Sequence, residues 1–302
     1  MYWAYKRRNP SKMTQSNKPS RSIYQLLTEY DRRIIYLLIF ILVLAPLMQP
    51  FILPIQVSSD TQLYYDQLNG LKSGDKVMFL LDTEFSGYME LQSGIVASLR
   101  ILLQHHVNLC IIESHPEATG IPTLLYAQVQ DVMNQNNYVY GTNYIDLGYV
   151  FPNEAAVASA AQNFHNIIRT DRYGKSIQGT FLDSVNSYND WTMIDEFTTG
   201  VQSEAVVRHF GQSGTPIVAN VIGVMVATSM PYLQAGLYKA VLQSMRGGAE
   251  LEYLISAPGA GLTAMNSFTL GHYMLIVAIV LGNIGYFGYR SEMKKKKMEV
   301  QK

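Results

Sequence analysis

The chain has 302 residues, 48% of them hydrophobic, and its 23 basic side chains balance its 23 acidic ones. A single cysteine, Cys110, excludes an intrachain disulfide and any multi-cysteine metal site within one chain. Neutrality hides a split, because residues 1–33 and 290–302 together carry 14 basic and 4 acidic side chains and the middle carries 9 and 19. An acidic middle argues against nucleic acid as its partner, since that contact calls for a basic patch.

Residues 1–33 form a basic tail. Its polar stretch 10–22 predicts disorder, and Tyr2, Trp3 and Tyr5 suit a membrane interface. The uncharged run Ile34–Ile55 is long enough to cross a bilayer and predicts a first transmembrane helix over 34–56. Pro46, Pro50 and Pro54 each remove a helical N–H, so this helix is expected to kink or loosen toward its far end. The long tail before it and the lack of a small-x-small cleavage pattern read as an uncleaved anchor rather than a signal peptide.

Residues 57–266 read as one α/β domain. The strand Lys76–Thr83 precedes the helix Gly87–His106, where Met89, Ile95, Leu99, Leu102 and Leu103 recur near helical spacing. Next come the strand Val107–Glu113, the helix Thr123–Asn134 and the strand Asn143–Val150. Asn153 is placed to cap a helix over Ala155–Arg169. A short helix near Gly179–Ser187, a strand Trp191–Phe197, a helix Val201–Phe210 and a strand Pro216–Val221 follow. Pro216–Leu233 is uncharged but short and proline-bounded, so it reads as strand plus loop rather than a third span. Tyr232–Ile255 reads as a long last helix. Strands joined by helices predict a three-layer, Rossmann-like domain with a mostly parallel sheet, and burial on both faces explains strands that do not alternate. Pro258–Leu262 reads as a flexible joint.

The second uncharged run, Phe268–Tyr289, predicts a second transmembrane helix over 267–289, with Tyr286 and Tyr289 as interfacial anchors and a basic tail over 290–302. Positive flanks stay cytoplasmic, so both tails are expected inside and the domain outside. Lys294, Lys295, Lys296 and Lys297 form a juxtamembrane cluster able to hold anionic lipid, although a plain topology signal is the simpler reading.

In parallel sheets of this kind ligands bind beyond the carboxyl ends of the strands. Asp82, Glu84, Glu113, His115, Asp195 and Glu196 all fall there and form the candidate ligand cluster. An oxygen-rich set of that kind suits a divalent cation, and a carboxylate pair suits acid–base work. The competing reading is solvated loop ends of an acidic domain, and no cofactor is firmly implied. The first strand is followed by DTEFSG, which is not a dinucleotide fingerprint, and neither a phosphate loop nor a G-x-S-x-G elbow occurs. Gly247 and Gly248 in the last helix, and Gly282, Gly285 and Gly288 in the second span, are candidate sites of close helix packing or oligomer contact. Tyrosine, at 21 residues, suits interfaces as well as partly buried core positions.

The order of YGTNYIDLGY (140–149), PYLQAG (231–236), RGGAELEY (246–253) and GNIGYF (282–287) resembles an uncharacterised family of archaeal and bacterial membrane proteins. The resemblance covers residues 30–290 and implies two terminal spans around an α/β domain, with no implied activity. Where that family would carry an aspartate-proline loop after the first strand, this chain has Asp82-Thr-Glu-Phe-Ser. The sequence is therefore expected to encode a membrane-anchored extracytoplasmic assembly component that self-associates or joins other membrane proteins. A membrane-tethered enzyme or ligand-binding module using the acidic cluster is the main alternative, and a sensor working through the kinked first span is a third.

Overall fold

The computed structural model describes residues 22–29, 31–49, 51, 53–200 and 202–301. The aromatic anchors Tyr2, Trp3 and Tyr5, and all of the segment expected to be disordered except Ser22, lie outside these residues. In chain order the elements are α1 (Ile23–Thr28), α2 (Arg32–Met48), α3 (Ser59–Asn69), β1 (Lys76–Asp82), α4 (Phe85–Gln104) and β2 (Asn108–Glu113). They continue with α5 (Ile121–Gln135), β3 (Tyr144–Tyr149), α6 (Glu154–Gln162), β4 (Met193–Thr198) and α7 (Ser203–Val206). The last are β5 (Ile217–Val221), α8 (Val226–Gln234), β6 (Tyr238–Gln243), α9 (Ser244–Leu254) and α10 (Ala260–Val300). Contacts divide the chain into two compact units, Val43–Thr269 and the remainder.

In the larger unit six strands form one parallel sheet in the order β3-β2-β1-β4-β5-β6. Strands such as KVMFLLD (β1) and MIDEFT (β4) are buried along almost their whole length, because helices cover both faces. Side chains of α3, α4, α5 and α9 share one core with Val77, Phe79 and Leu81. Those of α6, α7 and α8 share the other with Met78 and Leu80. The strand order reverses direction between β1 and β4, so a topological switch point lies at their carboxyl ends.

The expected helix Tyr232–Ile255 is three elements, α8, β6 and α9. Gly236, at φ +72°, ends the α8 region in a conformation that costs glycine little. The following residues then pair with β5 as the outer strand, where sheet hydrogen bonds outweigh helical periodicity. Pro216–Leu233 is β5 followed by α8 rather than strand and loop. The short helix expected near Gly179–Ser187 is one 3₁₀ turn, Phe181–Ser184, and α7 widens into a π turn over Val207–Gly211. The expected flexible joint Pro258–Leu262 already contains the start of α10.

The helix that carries the first apolar run, α2, ends at Met48, and even with Arg32 and Arg33 its 17 residues span about 25 Å, against a hydrocarbon core of roughly 30 Å. Pro46 is tolerated inside the last turn, and the described residues from Phe51 to Ser58 form neither helix nor strand. A transmembrane helix over 34–56 is therefore not supported, because the helix ends where the proline-bearing part of the run begins. Among the described residues one helix, α10, is long and apolar enough to cross a membrane. It contains the whole expected second span.

The smaller unit holds α1, the first part of α2 and α10 from Leu270 onward. A Cβ on Gly285 would fall 2.7 Å from Leu27 Cβ, and one on Gly288 would fall 2.1 Å from Tyr24 Cδ1. These two glycines form the seat of α1, whereas Gly282 has nothing within 4 Å of such a Cβ.

Candidate functional site

Asp82 ends β1 at the switch point and is fully buried. It accepts hydrogen bonds from Ser114 Oγ (2.7 Å), Thr198 Oγ1 (2.7 Å) and Gln202 N (2.9 Å). Burial raises its carboxyl above the usual range, and these three donors oppose that rise. The residue thus ties the loop after β4 to the ends of β1 and β2. Glu84 sits half-buried as the N-cap of α4 with no capping side-chain bond. The α4 N-terminus is instead met by Glu117, whose Oε2 accepts from Phe85 N at 3.1 Å. His115 uses Nδ1 to accept from Glu117 N at 3.2 Å and so caps the 3₁₀ turn Pro116–Gly120.

Glu113 and Asp146 meet a residue that the sequence reading did not single out, Arg172. Its guanidinium pairs with Glu113, reaches Asp146 Oδ2 at 2.9 Å, and donates to the Thr119 carbonyl at 2.8 Å. Both carboxylates are essentially buried. Burial pushes Asp146 up to about 6, against hydrogen bonds from Gly148 N and Tyr126. Around this triad Tyr126, Tyr138, Tyr140, Tyr144 and Tyr173 pack ring against ring. The tyrosine-rich segment is thus largely spent on fixing the β3 edge.

Asp195 and Glu196 are neighbours on β4 and therefore point to opposite faces of the sheet. Asp195 accepts from Tyr64 of α3, whose hydroxyl also lies 3.0 Å from Ser98 of α4. Glu196 accepts from Tyr238 of β6 at 3.0 Å. Burial pushes each carboxyl up to about 8, and the nearby Asp82 charge adds to the effect on Glu196. Asp195 Oδ2 and Glu196 Oε1 have no hydrogen-bond partner, so the uncharged form suits both sites. The six predicted residues are thus divided by the sheet and largely bonded to its own loops. Among the described residues no group of three or more His, Cys, Asp or Glu side chains is placed to hold a metal ion. Cys110 is buried, and burial pushes its thiol well up.

A second constellation lies in RGGAELEY, at α9. A Cβ on Gly248 would fall 2.1 Å from Ser93 Oγ and 2.6 Å from Gly94 N, and one on Gly261 would fall 2.9 Å from Ala249 N. The backbones of α4, α9 and the start of α10 therefore meet at small residues. Gly247 lies against Leu242 of β6. Both α9 glycines are used inside the fold.

Glu250 and Glu252 leave α9 in different directions. Glu250 accepts from Ser58 N (2.9 Å), Ser58 Oγ (2.6 Å), Thr61 Oγ1 (2.7 Å) and Arg246 Nε (2.8 Å). It thereby holds the N-terminus of α3, where the chain arrives from α2. Burial would raise its carboxyl, but those donors together hold it below the usual range. Glu252 accepts from Gly259 N (3.0 Å), Gly261 N (3.2 Å) and Leu262 N (2.7 Å), which fills the N-terminus of α10. Burial still leaves its carboxyl raised. Asn266 Nδ2 donates to the Phe51 carbonyl at 2.5 Å, and Ser267 Oγ to the Val43 carbonyl at 3.0 Å. One helix, α9, thus fastens the chain where it comes from α2 and where it leaves in α10.

At the carboxyl edge exposed apolar groups stand among polar ones such as Ser86 and Glu117. Phe85 and Met89, one turn apart on α4, are 51% and 63% exposed, and Val224 is 80% exposed. Glu90 joins these elements by accepting from Gly223 N at 2.6 Å and from Ser244 Oγ. Comparison with protein-family models, with curated proteins and with solved structures finds no match to this chain.

Proposed function

We propose that the chain is a membrane-anchored assembly component whose α/β domain stands outside the membrane and associates with further copies or with other membrane proteins. The apolar surface of Phe85, Met89 and Val224 carries this reading. Phe85 and Met89 lie one turn apart at the start of α4, just beyond the carboxyl end of β1, and exposed apolar side chains that group together mark association surfaces. The grip of Glu250 and Glu252 on the segments beside α2 and α10 supports the same reading, because it would pass load between partner contacts and both anchors.

In this reading α10 crosses the membrane. The shorter α2 crosses beside it, accommodated by local thinning of the bilayer. The basic residues before α2 and after Tyr289 keep both tails cytoplasmic. Cross-linking in intact membranes tests the proposal. Wild-type chain should give a ladder of multimers or one discrete larger adduct, reduced by Met89→Glu or Val224→Glu. An unchanged 34 kDa band at all cross-linker concentrations would refute it.

A further inference from the structure

A groove of about 210 Å³ runs through the smaller unit, lined by Leu26 and Leu27 of α1, Ile34, Ile35 and Leu38 of α2, and Met274, Val277, Ala278 and Leu281 of α10. Every one of these side chains is apolar. The volume would hold several water molecules at roughly 30 Å³ each, yet the lining side chains offer none of the polar partners that buried water needs. The natural occupant is hydrocarbon. The contacts of Gly285 with Leu27 and of Gly288 with Tyr24 set α1 toward the carboxyl end of α10 and so fix which end is which. At the α1 end, exposed Arg33 directly precedes Ile34. On α10 the same direction leads to Arg290, about 13 Å beyond Leu281, and then to Lys294–Lys297.

We infer that this groove binds an anionic phospholipid, with an acyl chain between α1, α2 and α10 and its phosphate at Arg33, on the side of the groove that leads along α10 toward Arg290. The inference rests on the membrane reading above. α1 has a defined part in the site. Seated on Gly285 and Gly288, it places Leu26 and Leu27 over the groove at its basic end. Arginine suits the headgroup because its planar fork matches phosphate oxygens, and the lysines beyond it add the longer-range attraction of a basic cluster for anionic lipid.

The test uses the full chain extracted in mild detergent, stripped of lipid, and titrated with phosphatidylglycerol or phosphatidylcholine under native mass spectrometry. Wild-type chain should retain phosphatidylglycerol about tenfold more strongly than phosphatidylcholine. Ala278→Trp, which fills the groove, should lose that retention with the domain's unfolding midpoint unchanged. Should that variant misfold, Leu38→Phe serves the same purpose. Arg33→Gln should keep a bound lipid but lose the headgroup preference. Equal retention of both lipids by wild type, or undiminished retention in a folded groove-filled variant, would overturn the inference. Alkaline washing of membranes separates the two readings. A chain released by the wash defeats the membrane reading itself, whereas a chain that stays embedded but shows no lipid preference defeats only the lipid site.

Discussion

Replacing Asp195 and Glu196 with their amides should flatten the pH dependence of stability near neutrality. The unfolded chain releases these two protons at ordinary carboxylate values near pH 4, whereas burial holds them in the folded chain up to about 8. Between those limits the unfolded state binds fewer protons, so stability falls as pH rises and levels off above about 8. Each group contributes about 1.4 kcal/mol per pH unit in that window. Together they should remove about 4 kcal/mol between pH 6 and 7.5. That range lies at or above the value near 6 for Asp146. It is also well above the range of Asp131, Glu154, Asp190 and Glu250, all held low. Trp191 is 3% exposed in the domain core, so its fluorescence reports urea unfolding of the detergent-solubilised chain. Asp195→Asn keeps an oxygen for the Tyr64 hydroxyl, and Glu196→Gln keeps one for Tyr238. Each single variant should remove a large part of the slope and the double variant most of it, leaving the smaller contribution of other raised acids such as Asp146. A flat wild-type profile, stability that rises with pH, or an unchanged slope in the variants would refute the assignment of uncharged buried acids.

Arg172→Met strands Glu113 and Asp146 without their counter-charge, and urea unfolding should show a loss of about 3–5 kcal/mol. Gly248→Ala drives a methyl group into Ser93 and the Gly94 backbone. It should cost about 1–3 kcal/mol by the same measurement, more than Gly247→Ala, whose methyl group meets the Leu242 side chain and no backbone atom nearer than 3.4 Å. Glu252→Ala leaves three N–H groups at the α10 start without their acceptor. A loss of about 1–3 kcal/mol and faster amide exchange at Gly259–Leu262 should follow. For orientation, cysteines placed at Lys297 and at exposed Lys239 should react with an impermeant thiol reagent from opposite sides of the membrane.

The layered α/β architecture was legible because β1, β2 and β5 are short, largely apolar runs that only a doubly covered sheet would bury. β6 was hidden because YKAVLQ fits a helix locally, and only its pairing with β5 makes it a strand. α3 was passed over although Ser58 caps it, Asp60 lies in its first turn, and Tyr64 and Leu68 mark its buried face. Asp82 and Glu113 did end their strands, whereas Asp195 and Glu196, expected beyond a strand end, sit in the middle of β4. Alternation along β4 could already have separated Asp195 from Glu196, whereas Arg172 was beyond reach because it folds back from an irregular connection 26 residues after Asp146. The RGGAELEY segment signalled close packing through its glycines. The acceptor roles of Glu250 and Glu252 depend on Ser58 and Gly259–Leu262, which only the fold brings to α9.

The mass of the particle released from membranes by a mild detergent tests the proposed assembly most directly. Light scattering on the purified wild-type chain should give several times 34 kDa, falling toward one chain in Met89→Glu. A wild-type particle of a single chain in its detergent shell, under conditions that leave the domain folded, would contradict the assembly role.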